Sequence, residues 1–166
     1  MRSATFLAVI LLVHLDVPAF AKGPTARITI EGGALSAPVV MTDSHVLSAF
    51  RVWEGPGTSS YGNPESQISS FIVNWSRGAT AAPAHELPRY KVSFWADEGR
   101  EKLVYVVYYE FDPARKQGYV YLPGACDDAY LLNTSSILRD VERKWFRSWS
   151  KWDRVAFPLV AAAIKN

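Results

Sequence analysis

Few residues of this chain are suited to chemistry. Beyond residue 21 it holds two histidines, His45 and His85, and a single cysteine, Cys126. No His-x-x-x-His or comparable ligand spacing occurs, so a zinc site is not expected, and no cofactor is called for. A thiolate nucleophile would need Cys126 beside an imidazole such as His85. Nothing in the spacing brings them together, and a lone cysteine reads first as a small buried thiol outside any internal disulfide. The acids cluster weakly. Asp97-Glu98 falls in a turn, and Asp127-Asp128 follows Gly124-Ala125-Cys126. One adjacent pair is short of the roughly six to eight oxygens that calcium takes. A glycosidase needs two carboxyls flanking a sugar from separate positions. Glu54, Glu110 and Asp128 are the acids for such a reading, but the sequence does not join them. Gly55-Pro56-Gly57 and Gly62 lack the Gly-Lys-Ser/Thr of a phosphate loop, and Pro56 removes an N–H that a phosphate would use. No catalytic residue is assigned. Two glycosylation sequons, at Asn74 and Asn133, matter only in a eukaryotic secretory route.

Aromatic residues are the richer resource. Tyr105, Tyr108, Tyr109, Tyr119, Tyr121 and Tyr130 crowd one region, and Trp145, Trp149 and Trp152 share a helical spacing. Aromatic platforms serve sugar binding and protein interfaces. The tryptophan stripe, flanked by Lys144, Arg147, Lys151 and Arg154, would also suit a membrane interface. Packing of that stripe on a sheet is the simpler expectation, since a long helix must bury one face. Two turn-rich loops, Glu54 to Ser70 and Pro123 to Asp128, are where a rigid scaffold would carry binding residues. Glu54, Tyr61, Asp127 and Asp128 are the candidates there.

The elements that would position these residues are legible in part. Arg27 to Glu31 alternates as a half-buried strand, Gly32-Gly33 turns, and Pro38 to Met41 returns as its hairpin partner. Thr42-Asp43-Ser44 can cap a short helix over 44–50. Phe71 to Trp75 reads as a strand. Tyr90 to Ala96 and Lys102 to Phe111 form a hairpin about Asp97-Glu98-Gly99-Arg100. Both faces of its second strand are apolar, which places that strand centrally, covered on both sides. Gly118 to Leu122 is the next strand, and Tyr130 to Leu132 a further short one. From Ser136, Leu138, Val141, Trp145, Trp149, Trp152, Val155, Ala156 and Leu159 keep the steps of an amphipathic helix, capped by Asn133, Thr134 or Ser135. Pro158 should kink or divide it. The fold class is therefore α+β: an antiparallel sheet of about five to seven strands with a short early helix and a long C-terminal helix on one face.

The first 21 residues read as a cleavable export signal. Arg2 is basic, Ala4 to Leu15 is almost wholly apolar, and Ala19-Phe20-Ala21 offers small residues for cleavage after Ala21. The apolar run is shorter than the roughly 20 residues a membrane-spanning helix needs, and no later stretch reaches that length. Residues 22–166 then form one domain in a secreted or periplasmic setting. A composition 49% hydrophobic and only 20% charged argues against disorder. The net charge of +2 gives no reason to expect nucleic acid. Residues 137–166 do concentrate seven Lys or Arg against three acids. That segment suits either a solvated helix face or weak contact with an anionic membrane surface.

Val52-Trp53-Glu54-Gly55-Pro56-Gly57, together with Val106 to Glu110 and Tyr119-Val120-Tyr121-Leu122-Pro123-Gly124, resembles stretches of uncharacterised exported bacterial proteins. The resemblance implies a bacterial setting and export, and no activity. The expectation is a non-catalytic domain binding an unknown ligand or envelope protein. The alternatives are a hydrolase of envelope or extracellular material and an envelope-associated protein using its basic, Trp-rich helix.

Overall fold

The computed structural model describes residues 23–51, 71–133 and 141–165. The export signal, Glu54, Tyr61 and the start of the expected long helix lie outside them. The described residues form an α+β fold. Strand β1 (Thr25–Gly32) pairs with β2 (Val39–Met41) in the expected hairpin. Helix α1 (Ser44–Ala49) follows, with Asp43 as its cap: its Oδ1 accepts from the N–H of His45 at 2.9 Å and of Val46 at 3.1 Å. Strands β3 (Ala79–Thr80), β4 (Arg89–Asp97), β5 (Glu101–Asp112), β6 (Gln117–Tyr121) and β7 (Trp145–Arg147) complete one seven-stranded antiparallel sheet, ordered β2-β1-β4-β5-β6-β7-β3. The edges are the short strands β2 and β3, which leave little unpaired backbone for another chain to join. The β4–β5 turn is closed by Asp97 Oδ1, which accepts from the N–H of Gly99.

The register separates two faces. Tyr90, Tyr109, Val120 and Phe146 are cross-strand neighbours, and all are buried. They belong to the core, which α1 and the C-terminal helix α3 (Ser150–Lys165) cover. Trp152 is its largest buried side chain, packed edge-on against Phe50 and Tyr109 at ring-centroid distances of 5.0 and 5.9 Å. Burial of such a side chain stabilises the fold by about 3 kcal/mol.

Four local expectations are corrected. Phe71 to Trp75 is not a strand: one bridge, Val73 to Ser148, leads into a 3-10 turn over Trp75–Arg77. Phe71, Ile72 and Val73 are fully buried instead, with Phe71 against Phe94 and Tyr105. They plug the core, a use that periodicity does not distinguish from a strand. Tyr130–Asn133 is a helical turn, α2, not a strand. It brings the buried Asn133 amide to an open stretch of β5, where Oδ1 accepts from the Val106 N–H and Nδ2 donates to the Val106 carbonyl. Asn133 thus stands in for a neighbouring strand. The tryptophan stripe is also divided. Residues 145–147 are strand β7, and the helix starts only at Ser150. The same residues fit period two, with Phe146 and Ser148 buried and Trp145 and Arg147 half-buried, and the free edge of β6 recruits them. Helix α3 runs through Pro158 as one helix and is not divided there. Pro158 lies on the exposed side, where water can satisfy the carbonyl its ring leaves unbonded. Cys126 is exposed, not buried.

Helix α3 is fastened by a buried carboxylate. Asp153 accepts from Ser148 Oγ and from Tyr109 Oη (2.9 Å) at Oδ1, and from the Gly118 N–H (3.2 Å) at Oδ2. Burial pushes its carboxyl above the usual carboxylate range, although these hydrogen bonds and Arg154 pull the other way. Position 118 is crowded: a Cβ there would run into Asp153 Oδ1 and Ser148 Oγ.

Candidate functional site

The other face of the sheet carries the site. On it the register aligns Lys91, Tyr108, Tyr121 and Trp145 across four strands, and beside them Arg89, Glu110, Tyr119 and Arg147. These positions alternate with the core residues, so the pleat alone sends them to one side. Tyr108, Tyr121 and Trp145 make a ladder of rings, with centroids 6.3 Å apart for the first pair and 5.2 Å for the second. None of the three is fully buried.

Arg89 lies against this ladder. Its guanidinium carbon is 5.4 Å from the Trp145 ring centroid, 5.8 Å from Tyr108 and 5.9 Å from Tyr121. Such contacts hold a cation against the electron-rich ring faces. Arg89 Nε donates to Glu110 Oε1 at 2.7 Å. The two ends of this pair differ in exposure: the Arg89 side chain is 52% exposed and that of Glu110 6%. The terminal nitrogens of Arg89 and the second oxygen of Glu110 have no hydrogen-bond partner among the described residues. Glu110 therefore holds the guanidinium in one orientation while the pair keeps donors and an acceptor unused.

These groups open into a pocket of about 560 Å³, walled by the segment 82–87 and floored by Arg89, Glu110 and Trp145, with His85 and Glu86 on its rim. The segment reaches over the sheet because β3 pairs with β7 at the far edge while Arg89 begins β4 near the centre. The intervening chain, with Pro83 and Pro88, must pass β7, β6 and β5.

Of the residues expected to form a site, Glu54 and Tyr61 lie outside the described residues. Asp127 is half-buried and its Oδ2 accepts from Tyr121 Oη at 3.0 Å and from the Gly124 N–H at 2.6 Å. It tethers the 123–128 loop to the ring ladder and orients Tyr121. Burial, followed by this hydrogen bond, raises the Tyr121 hydroxyl above its ordinary value, with Arg143 opposing. Asp128 is exposed and does not line the pocket. Glu110 does. Arg89 was not anticipated. The usable signal was the alternation Arg89, Lys91, Ser93 against Tyr90, Val92, Phe94, which marks a polar face on β4. Both sequon asparagines are buried, at 8% and 1% exposure. Among the described residues no group of three His, Cys, Asp or Glu is placed to hold a metal, and no helix is long and apolar enough to cross a membrane.

Set against known protein families, curated proteins and solved structures, the chain matches none of them.

Proposed function

We propose that this is an exported, non-catalytic binding domain whose site is the Arg89–Glu110–Trp145 pocket and whose ligand is a saccharide of the cell envelope. The observation that carries the reading is an oriented Arg–Glu pair with unused hydrogen-bonding capacity, set beside the half-buried Trp145 in an open polar pocket. Adjacent sugar hydroxyls present a donor and an acceptor side by side, which such a pair can meet together. The C–H face of a sugar ring packs on an aromatic face. Export itself rests on the basic, apolar and small-residue order of residues 1–21.

The test is isothermal titration of residues 22–166 with neutral cell-wall oligosaccharides. Saturable binding is expected, weakened at least tenfold, about 1.4 kcal/mol, by Arg89→Ala and by Trp145→Ala. Binding unchanged in both variants, or no binding across the panel, would sink the proposal. A hydrolase would use the same pocket, because Glu86 and Glu110 both line it. Cleaved product after prolonged incubation, lost in Glu110→Gln, would establish that reading instead.

A further inference from the structure

A second cavity lies on the core side of the sheet, between the latter half of α3 and the end of β5. Its volume is about 350 Å³ and its lining is almost entirely apolar, including Tyr109, Phe111, Phe157, Val160 and Ala161. Phe111 and Phe157 stack at 4.2 Å to form one wall. A dry cavity of about 150 Å³ already takes a benzene ring, so this one has room for a ring and a short chain.

The lining has one charged group that is itself buried. The Asp112 side chain is 1% exposed. Its Oδ1 accepts from the N–H of Ala114 at 3.0 Å and of Arg115 at 3.1 Å, closing the turn after β5. Its Oδ2 has no hydrogen bond among the described residues. The basic side chains nearest to it are Arg115, with Nε at 3.7 Å, and His85, with Nε2 at 3.8 Å, both more than half exposed. Both lie beyond hydrogen-bond distance, so a donor placed closer to this oxygen would add a charge-assisted hydrogen bond. Asp112 and His85 both line the cavity, so that donor can come from a ligand inside it.

We infer that this cavity is a second binding site, for a small molecule with an apolar ring-sized body and one hydrogen-bond-donating head, an amine or an alcohol. The body packs between Phe157 and Val160, and the head donates to Asp112 Oδ2. This site stands independently of the saccharide pocket, with which it shares only the wall formed by His85 and Leu87.

The test uses three probes of nearly one shape: 2-phenylethylamine, 2-phenylethanol and propylbenzene. They are titrated into isotopically labelled protein, with amide and methyl signals followed by NMR. The amine and the alcohol are expected to shift signals of Phe157, Val160 and Ala161 saturably, and to bind at least tenfold more tightly than propylbenzene. Asp112→Asn keeps the Oδ1 acceptor of the turn but sets an amide donor at the Oδ2 position. It should abolish the advantage of the amine, whose protonated head can only donate, and leave propylbenzene unchanged. Ala161→Phe fills the cavity and should weaken all three at least tenfold. Absence of saturable binding, or binding indifferent to Ala161→Phe, would overturn the site. Equal affinity for all three probes in the unaltered protein would overturn the role of Asp112.

Discussion

Asp153 and Glu110 lie on opposite faces of one sheet, and each is a carboxylate nearly removed from water, at 8% and 5% exposure. Their surroundings differ. Asp153 meets three donors from β5, β6 and the chain just before α3, and its hydrogen bonds join a helix to the sheet. Glu110 meets one donor, Arg89, which is itself half exposed and borders a pocket. A buried acid whose partners all belong to the fold holds the fold. One that orients a partially exposed guanidinium among aromatic rings leaves polar groups for something else to use.

The contrast can be broken most forcefully at Gly118. An Ala there would push its Cβ into Asp153, Ser148 and Tyr109. Urea denaturation should show about 3 kcal/mol lost, as for other overpacked core positions. Asp153→Ala should cost somewhat less, about 2 kcal/mol. It leaves the Ser148, Tyr109 and Gly118 donors without their acceptor, but it also relieves the desolvation of the carboxylate itself. A loss below about 0.5 kcal/mol would show that the network does not hold α3.

Titration tests the core face. Because burial raises the Asp153 carboxyl in the folded protein, protonation favours the folded state. The stabilising contribution of the protonated acid is fully present below the unfolded value of about 3.8, and is lost as pH rises through the higher folded value. The difference in urea midpoint between the unaltered protein and Asp153→Asn should therefore shrink or reverse from pH 3 towards pH 7. A constant difference would contradict the shift. On the open face, Glu110→Gln preserves shape and should cost only about 1 kcal/mol of stability, in keeping with a partly exposed ion pair. Its main effect should be on saccharide affinity. Cys126→Ser should be the mildest change, within about 0.5 kcal/mol in a melting experiment, because the side chain is exposed. The native thiol should also react fully with an aromatic disulfide reagent without denaturant. Slow or partial reaction would contradict that exposure.

Strands with a single clear alternation, and a turn between them, were readable from the residues: the β1–β2 hairpin, the β4–β5 hairpin and β6 all stand close to their expected limits. The segments that were misread fit more than one pattern. Trp145, Trp149 and Trp152 keep helical spacing, yet Trp145 to Ser148 also alternates, and an open strand edge decided between the two periods. The apolar run at Phe71 serves a plug as well as a strand. The site was less legible than the fold. Glu110 was singled out as an acid, but its partner Arg89 stands 21 positions earlier, and only the β4–β5 register sets them side by side. The loop position of Asp127 suggests a ligand contact, and its observed role is to hold Tyr121.

By itself the sequence determined the α+β class, the central place of β5 and the cap of α1, because each follows from residues close together in the chain or from the period of one segment. The tertiary structure alone decided the seven-strand order, the division of the tryptophan stripe, the strand-like use of the Asn133 amide and the meeting of Arg89, Glu110 and Trp145. Those depend on which backbone edges and buried polar groups lacked a partner once the sheet had formed. Such needs are properties of the folded surface and belong to no single stretch of residues.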